Sequence, residues 1–358
     1  MSSLIESLSI SARDAAAEDA ARRRIDNLTK PVGSLGSLEV LAVQLAGIAG
    51  GLPTHKYERR AVLIGAADHG VAVEGVSAYP QEVTGQMLGA FLGGFAAINA
   101  LARTARAEVF VADFGVLTPP RETYPRLFDL RCGPGTANLA SGPAIAREQV
   151  ANVLEAGVAA VDQVRNAIPF DVLALGDMGI GNTTSAAAIV CAFTGAPASV
   201  VVGRGTGIDD ARLTKKVAIV ERALSRLSGR TWEEIASELG GYEIVALAGA
   251  ILRAAEFRVP IVLDGFIVAA AALLARAIAP KSIAYCIASH RSQEPGHTIA
   301  LASLGLKPLL DLELRLGEAS GAALALPILE AAARMICEMR TFEEAGVATE
   351  TSGDLVNI

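Results

Sequence analysis

The amino-acid sequence predicts an α/β protein: an open, mainly parallel sheet flanked by helices, with a small helical domain formed by the N- and C-terminal segments. Three observations carry this expectation. Six short apolar runs alternate with longer, alanine-rich helical stretches along the 358 residues, the order of a sheet with helical crossovers. Most of these runs end in a polar, glycine-rich loop, and open α/β sheets bind ligands at the carboxyl ends of their strands. The two chain ends show helical spacing instead of strand signals.

Residues 12–27 have helical spacing and many alanines, and K-P-V-G-S-L-G-S-L-E at 30–39 is a loop. Ser34 or Ser37 would cap a helix over 38–48. The first strand, 61–67, ends at Asp68-His69-Gly70 and leads through 75–84 to one long apolar helix over 83–102. A second strand covers 108–113. A donor-rich loop lies within 127–138, and a helix starting near Pro143 reaches Ala160. The third strand, 171–176, feeds L-G-D-M-G-I-G-N-T-T at 175–184, where a helix begins and its first N–H groups face an anion. The fourth, 198–202, ends at G-R-G-T-G-I-D-D, with Lys215 and Lys216 in the following helix. Residues 240–255 read as a helix and 259–263 as the fifth strand, ending at Asp264-Gly265. The sixth strand, 282–288, ends in S-H-R-S-Q-E-P-G-H. Helices over 322–339 and 341–346 follow. The domains divide as 1–55, the first part of the small helical domain; 56–310, the large α/β substrate-binding domain; and 311–358, the Glu318 loop with the last helices of the small domain.

Composition removes several function classes. The formal net charge is −7 with basic residues scattered, so nucleic acid and acidic membranes are poor partners. One Trp, five Tyr and ten Phe do not make a platform for stacked bases. The four cysteines lie far apart without C-x-x-C spacing, which reads as core thiols in a reducing, cytoplasmic compartment. No metal site is expected, because no histidine pair has H-E-x-x-H spacing and Asp68 or His69 at a buried strand end serves backbone groups instead. The chain start has no signal-peptide apolar core. Neither G-x-G-x-x-G nor G-x-x-x-x-G-K-[ST] is present, which argues against a dehydrogenase or a nucleoside triphosphatase. What remains is a set of glycine loops suited to one phosphate and a ribose. Glu318 is set among Gly, Ala and Leu; burial raises its pKa, Arg315 opposes the rise, and a carboxylate of this kind serves as a general base or as a structural cap.

Eight blocks together carry a family resemblance. They are K-P-V-G-S-L-G at Lys30, A-D-H-G-V at Ala67, G-V-S-A-Y-P-Q-E-V-T at Gly75 and L-G-D-M-G-I-G-N-T-T at Leu175. G-R-G-T-G at Gly203, L-D-G-F-I at Leu263, S-H-R-S-Q-E-P-G-H at Ser289 and L-R-L-G-E-A-S-G-A at Leu314 complete the set. The sequence resembles the nicotinate-nucleotide–dimethylbenzimidazole phosphoribosyltransferase family over residues 30–346. The resemblance implies transfer of phosphoribose from nicotinate mononucleotide to 5,6-dimethylbenzimidazole, a homodimer, and no metal or organic cofactor. It implies Glu318 as general base, with Ser77, Gln86, Met87 and Leu316 lining the base pocket. For the nucleotide and its phosphate it implies Gly176, Asp177, Gly179, Gly181, Asn182, Thr183, Gly203, Arg204, Gly205, Lys216 and Ser292. One position departs from the pattern. Many members carry Glu where this chain has Asp177, which retracts the carboxylate by one methylene and favours a supporting role. A related enzyme using another aromatic base, and a noncatalytic nucleotide or base sensor, are the competing readings.

Overall fold

The computed structural model describes residues 5, 7–53, 56–120 and 122–348. The expected boundary at residue 55 and the chain from 349 onward lie outside the described residues. The strands are β1 (Arg60–Ala67), β2 (Ala107–Gly115), β3 (Leu127–Asp129), β4 (Val172–Met178), β5 (Ile261–Leu263) and β6 (Cys286–Ala288). They form one sheet in the order β3-β2-β1-β4-β5-β6, and every pairing is parallel. All eight residues of β1 are buried, as are the first six of β4. A sheet covered on both faces selects such continuous apolar runs over alternation. The strand order reverses direction between β1 and β4, so the loops leaving them diverge and open a crevice.

The sheet has six strands among the described residues, but not the six expected. Residues 198–202 are not a strand: Ala198–Val201 is a short helix after Pro197, with Ala198 and Val201 buried and Val200 half exposed. That spacing of three is a helical face, not the alternation of a strand. The edge strand β3, inside the expected loop 127–138, is too short to show periodicity. Residues 280–285 are a 3-10 turn, so only Cys286–Ala288 of the expected sixth strand joins the sheet. The single helix expected over 83–102 is two, Val83–Gly93 and Ala97–Thr104, because Gly94 adopts a left-handed φ of 81°. Asn99 closes the break, accepting from the Ala96 N–H and donating to the Phe91 carbonyl. The helix expected from Pro143 begins at Val150, and Gly36, not Ser34 or Ser37, stands before the helix Ser37–Ala49. By length and composition alone, the stretches Val83–Thr104 and Ser320–Glu338 would cross a membrane. Here the first is broken and the second is mostly buried, as core helices are.

Two units are separable. The large one holds the segment before Arg13 with Tyr57–Pro327, and the small one holds Arg13–Lys56 with the chain from Ile328. The large unit therefore extends past 310 and takes in the Glu318 loop. The small unit joins both chain regions: Arg24 donates to the carbonyls of Ile336 and Met339, and Leu28 bridges Thr341. Within it Lys30 pairs with Glu39 at 2.8 Å.

Candidate active site

The loops at the carboxyl ends of β1, β4, β5 and β6 surround a cavity of about 530 Å³ in the large unit. Its lining takes in Met87, Leu316 and Glu318, together with Asp177, Gly179, Asn182, Thr183, Gly205 and Ser292. The remaining expected residues do not line it. Ser77 lies one layer back, its hydroxyl 3.3 Å from that of Thr206, which does line the cavity. Gln86 is exposed. Arg204 turns toward the next helix, donating to the Ile208 carbonyl and pairing with Asp210. Gly176, Gly181 and Gly203 shape the backbone beneath, and Lys216 is fully buried behind the wall.

Glu318 stands on an unusual backbone. Gly317, Glu318 and Ala319 have successive φ values of 83°, 61° and 60°. Two non-glycine residues in the left-handed region cost roughly 1–2 kcal/mol each and persist only where surroundings over-determine them. Those surroundings are identifiable. The Glu318 N–H donates to the Asp177 carbonyl, and Asp264 Oδ1 accepts from the N–H groups of Gly321 and Ala322 at 2.8 and 2.9 Å. Asp264 thus caps the helix Ser320–Glu338 and pins the loop from the far side. Gly176 makes the approach possible: a Cβ there would lie 2.2 Å from the Ala319 nitrogen.

The carboxylates interact. Burial raises the pKa of Glu318, and the Ile98 backbone N–H, rather than Arg315, opposes the rise. Its Oε2 is buried without a hydrogen-bond partner. Burial, then the charges of Asp264 and Glu243, hold Asp177 well above the usual carboxylate range, although Asn182 Nδ2 donates to its Oδ2 at 2.9 Å. Asp264 is pushed up to about 7, chiefly by burial. Glu243 meets His69 Nε2 at 2.7 Å, both fully buried. A buried cation stands behind the cavity wall. Lys216 Nζ donates to Thr183 Oγ1 at 2.7 Å and to the Gly203 carbonyl at 3.3 Å, and burial lowers its pKa to about 8. Burial also lowers His290, on the wall, to about 4, so it is neutral at pH 7.

Sequence reasoning missed Asp264, Glu243, His290, Glu294, Tyr79 and Phe266. All but Glu243 stand inside the blocks quoted above; position at a strand's carboxyl end was the available signal for Asp264 and His290. Among the described residues, no group of three or more His, Cys, Asp or Glu is placed to hold a metal ion.

Comparison with known proteins bears on this arrangement. A family model described as phosphoribosyltransferase matches residues 10–347. The nicotinate-nucleotide–dimethylbenzimidazole phosphoribosyltransferase of Desulforamulus reducens is 51% identical over 352 residues, 97% of this chain and 99% of that protein. The enzyme of the same name from Chloroflexus aggregans is 49% identical over 337 residues, covering 94% and 95% of the two chains. The crystal structure of the enzyme from Thermus thermophilus superposes with a TM-score of 0.89 at 48% identity, covering 94% of this chain and all of that one. With fold and sequence in agreement over nearly the whole length, the chain belongs to the nicotinate-nucleotide–dimethylbenzimidazole phosphoribosyltransferase family.

Proposed function

We propose that the protein transfers the phosphoribosyl group of nicotinate mononucleotide to 5,6-dimethylbenzimidazole or a related base, as a step of cobalamin nucleotide-loop synthesis. The products are nicotinate and, by inversion at C1, α-ribazole 5′-phosphate. One observation carries the residue-level reading: a buried carboxylate, Glu318, with an unpartnered oxygen in a cavity also lined by the apolar Met87 and Leu316 and by Thr183, Gly205 and Ser292.

The leaving nicotinate is a pyridinium in the substrate, so it departs as a neutral ring without an acid. Positive charge develops at C1 and the ring oxygen, and the nearby carboxylates stabilise it. The incoming base attacks through one ring nitrogen while Glu318 takes the proton from the other. Burial raises the proton affinity of Glu318, which suits it to that transfer. Holding the base beside C1 replaces a bimolecular encounter. Asp177 acts as a support: its carbonyl receives the Glu318 N–H and its side chain receives Asn182. Lys216, Thr183 and the Gly205 N–H form the phosphate corner. Ser77 steadies the base loop through Thr206. In this reading the enzyme is a cytoplasmic homodimer, a setting in keeping with four free thiols.

Purified protein incubated with nicotinate mononucleotide and competing bases tests the reading. The expected result is stoichiometric release of nicotinate with an α-linked product, fastest for a benzimidazole. Binding without nicotinate release would identify a sensor; a faster reaction with adenine or a phenol would identify a different acceptor.

A further inference from the structure

One carboxylate stands where the phosphate corner needs an anion. Glu294, just before the helix Pro295–Leu304, is buried, and its Oε1 accepts from the Gly205 N–H at 2.9 Å. Its Oε2 has no hydrogen-bond partner and lies 2.1 Å from where a Cβ on Gly203 would be. The carboxylate is therefore laid directly on the glycine backbone. It also acts electrostatically on Lys216, whose Nζ is 3.5 Å from the Cβ position of Gly205. A buried carboxylate with one unpaired oxygen costs free energy unless charge offsets it. Here one N–H and one buried ammonium do so, and these are donors that a phosphate monoester would use.

Glu294 also borders a second cavity, of about 540 Å³, together with Arg291 and Thr298. It therefore stands in the wall that the two cavities share.

We propose that Glu294 is an internal anion that occupies the phosphate donors until the 5′-phosphate of the nucleotide displaces it toward the second cavity. This rests on the phosphate corner described above. The consequence is selectivity: a phosphate dianion outcompetes a single carboxylate for Gly205 and Lys216, whereas a nucleoside without phosphate brings nothing to exchange. Glu294 is thus a positioning residue acting through those two groups.

Calorimetric titration with inorganic phosphate, and the KM for nicotinate mononucleotide, test this in Glu294→Gln and Glu294→Asp. Both variants are expected to bind phosphate at least roughly fivefold tighter than wild type and to lower KM. The aspartate variant separates occupancy from plain repulsion, because it keeps the charge but withdraws it by one methylene. Unchanged or weaker phosphate binding in Glu294→Asp overturns the proposal, as does any gain that survives Lys216→Ala. A protein that releases no nicotinate yet gains phosphate affinity in these variants would sink the reaction and leave this inference standing. Turnover without the gain would sink the inference alone.

Discussion

At the scale of the residue, the proposed chemistry turns on Glu318. Glu318→Gln keeps the size and removes proton acceptance, so kcat is expected to fall by about 100-fold or more while KM stays within a few-fold. Near-normal turnover at saturating substrates would remove the assignment. The raised pKa fixes the pH sign as well: wild-type activity is lost as pH falls through that pKa, because the base is then protonated. Glu318 was legible in the sequence, since a lone carboxylate between glycine and alanine is conspicuous and its block matches a family. Asp264, Glu243 and Glu294 were not. Asp264 and Glu243 matter through carboxylates that the fold brings together from positions 177, 243, 264 and 318, and Glu294 through its contact with the Gly205 N–H. Linear spacing holds no record of that.

At the scale of the element, strand β4 and the Glu318 loop fit only because residue 176 is glycine. Gly176→Ala would drive a methyl into the Ala319 backbone and is expected to destabilise by about 1–3 kcal/mol. It should also lower kcat at least about tenfold by shifting the carboxylate, read by denaturant titration and steady-state kinetics. Full activity with full stability would show that the loop does not depend on this approach. Gly176 was expected to serve the nucleotide; its environment shows backbone packing against the loop. Long elements such as Ala15–Asp26 and Tyr242–Glu256 were readable because their apolar spacing persists over several turns. Ala198–Val201 was misread because a run of four residues ending in two valines fits either period, and burial decided it.

At the scale of the whole molecule, the parallel sheet and the helical unit drawn from both chain regions were legible from the alternation of runs. Strand order was not, because it depends on how crossovers turn. Burying so many carboxylates has a global cost. Asp264 is raised to about 7, well above an unfolded aspartate near 3.9. Between those values the folded protein holds more protons than the unfolded chain, so this residue makes stability fall as pH rises. Asp264→Asn keeps an oxygen for the Gly321 and Ala322 N–H groups while removing the titration. Its melting temperature is expected to decline less than that of wild type between pH 5 and pH 8. An equally steep decline would place the burden on other groups.

The three left-handed residues at 317–319 limit how this chemistry can be moved. A peptide copied from that loop would relax to an ordinary turn, since nothing within it prefers the shape. Grafting Glu318 in this conformation onto another scaffold would require the neighbouring strand with its missing methyl, the capping aspartate and the start of the following helix as one block.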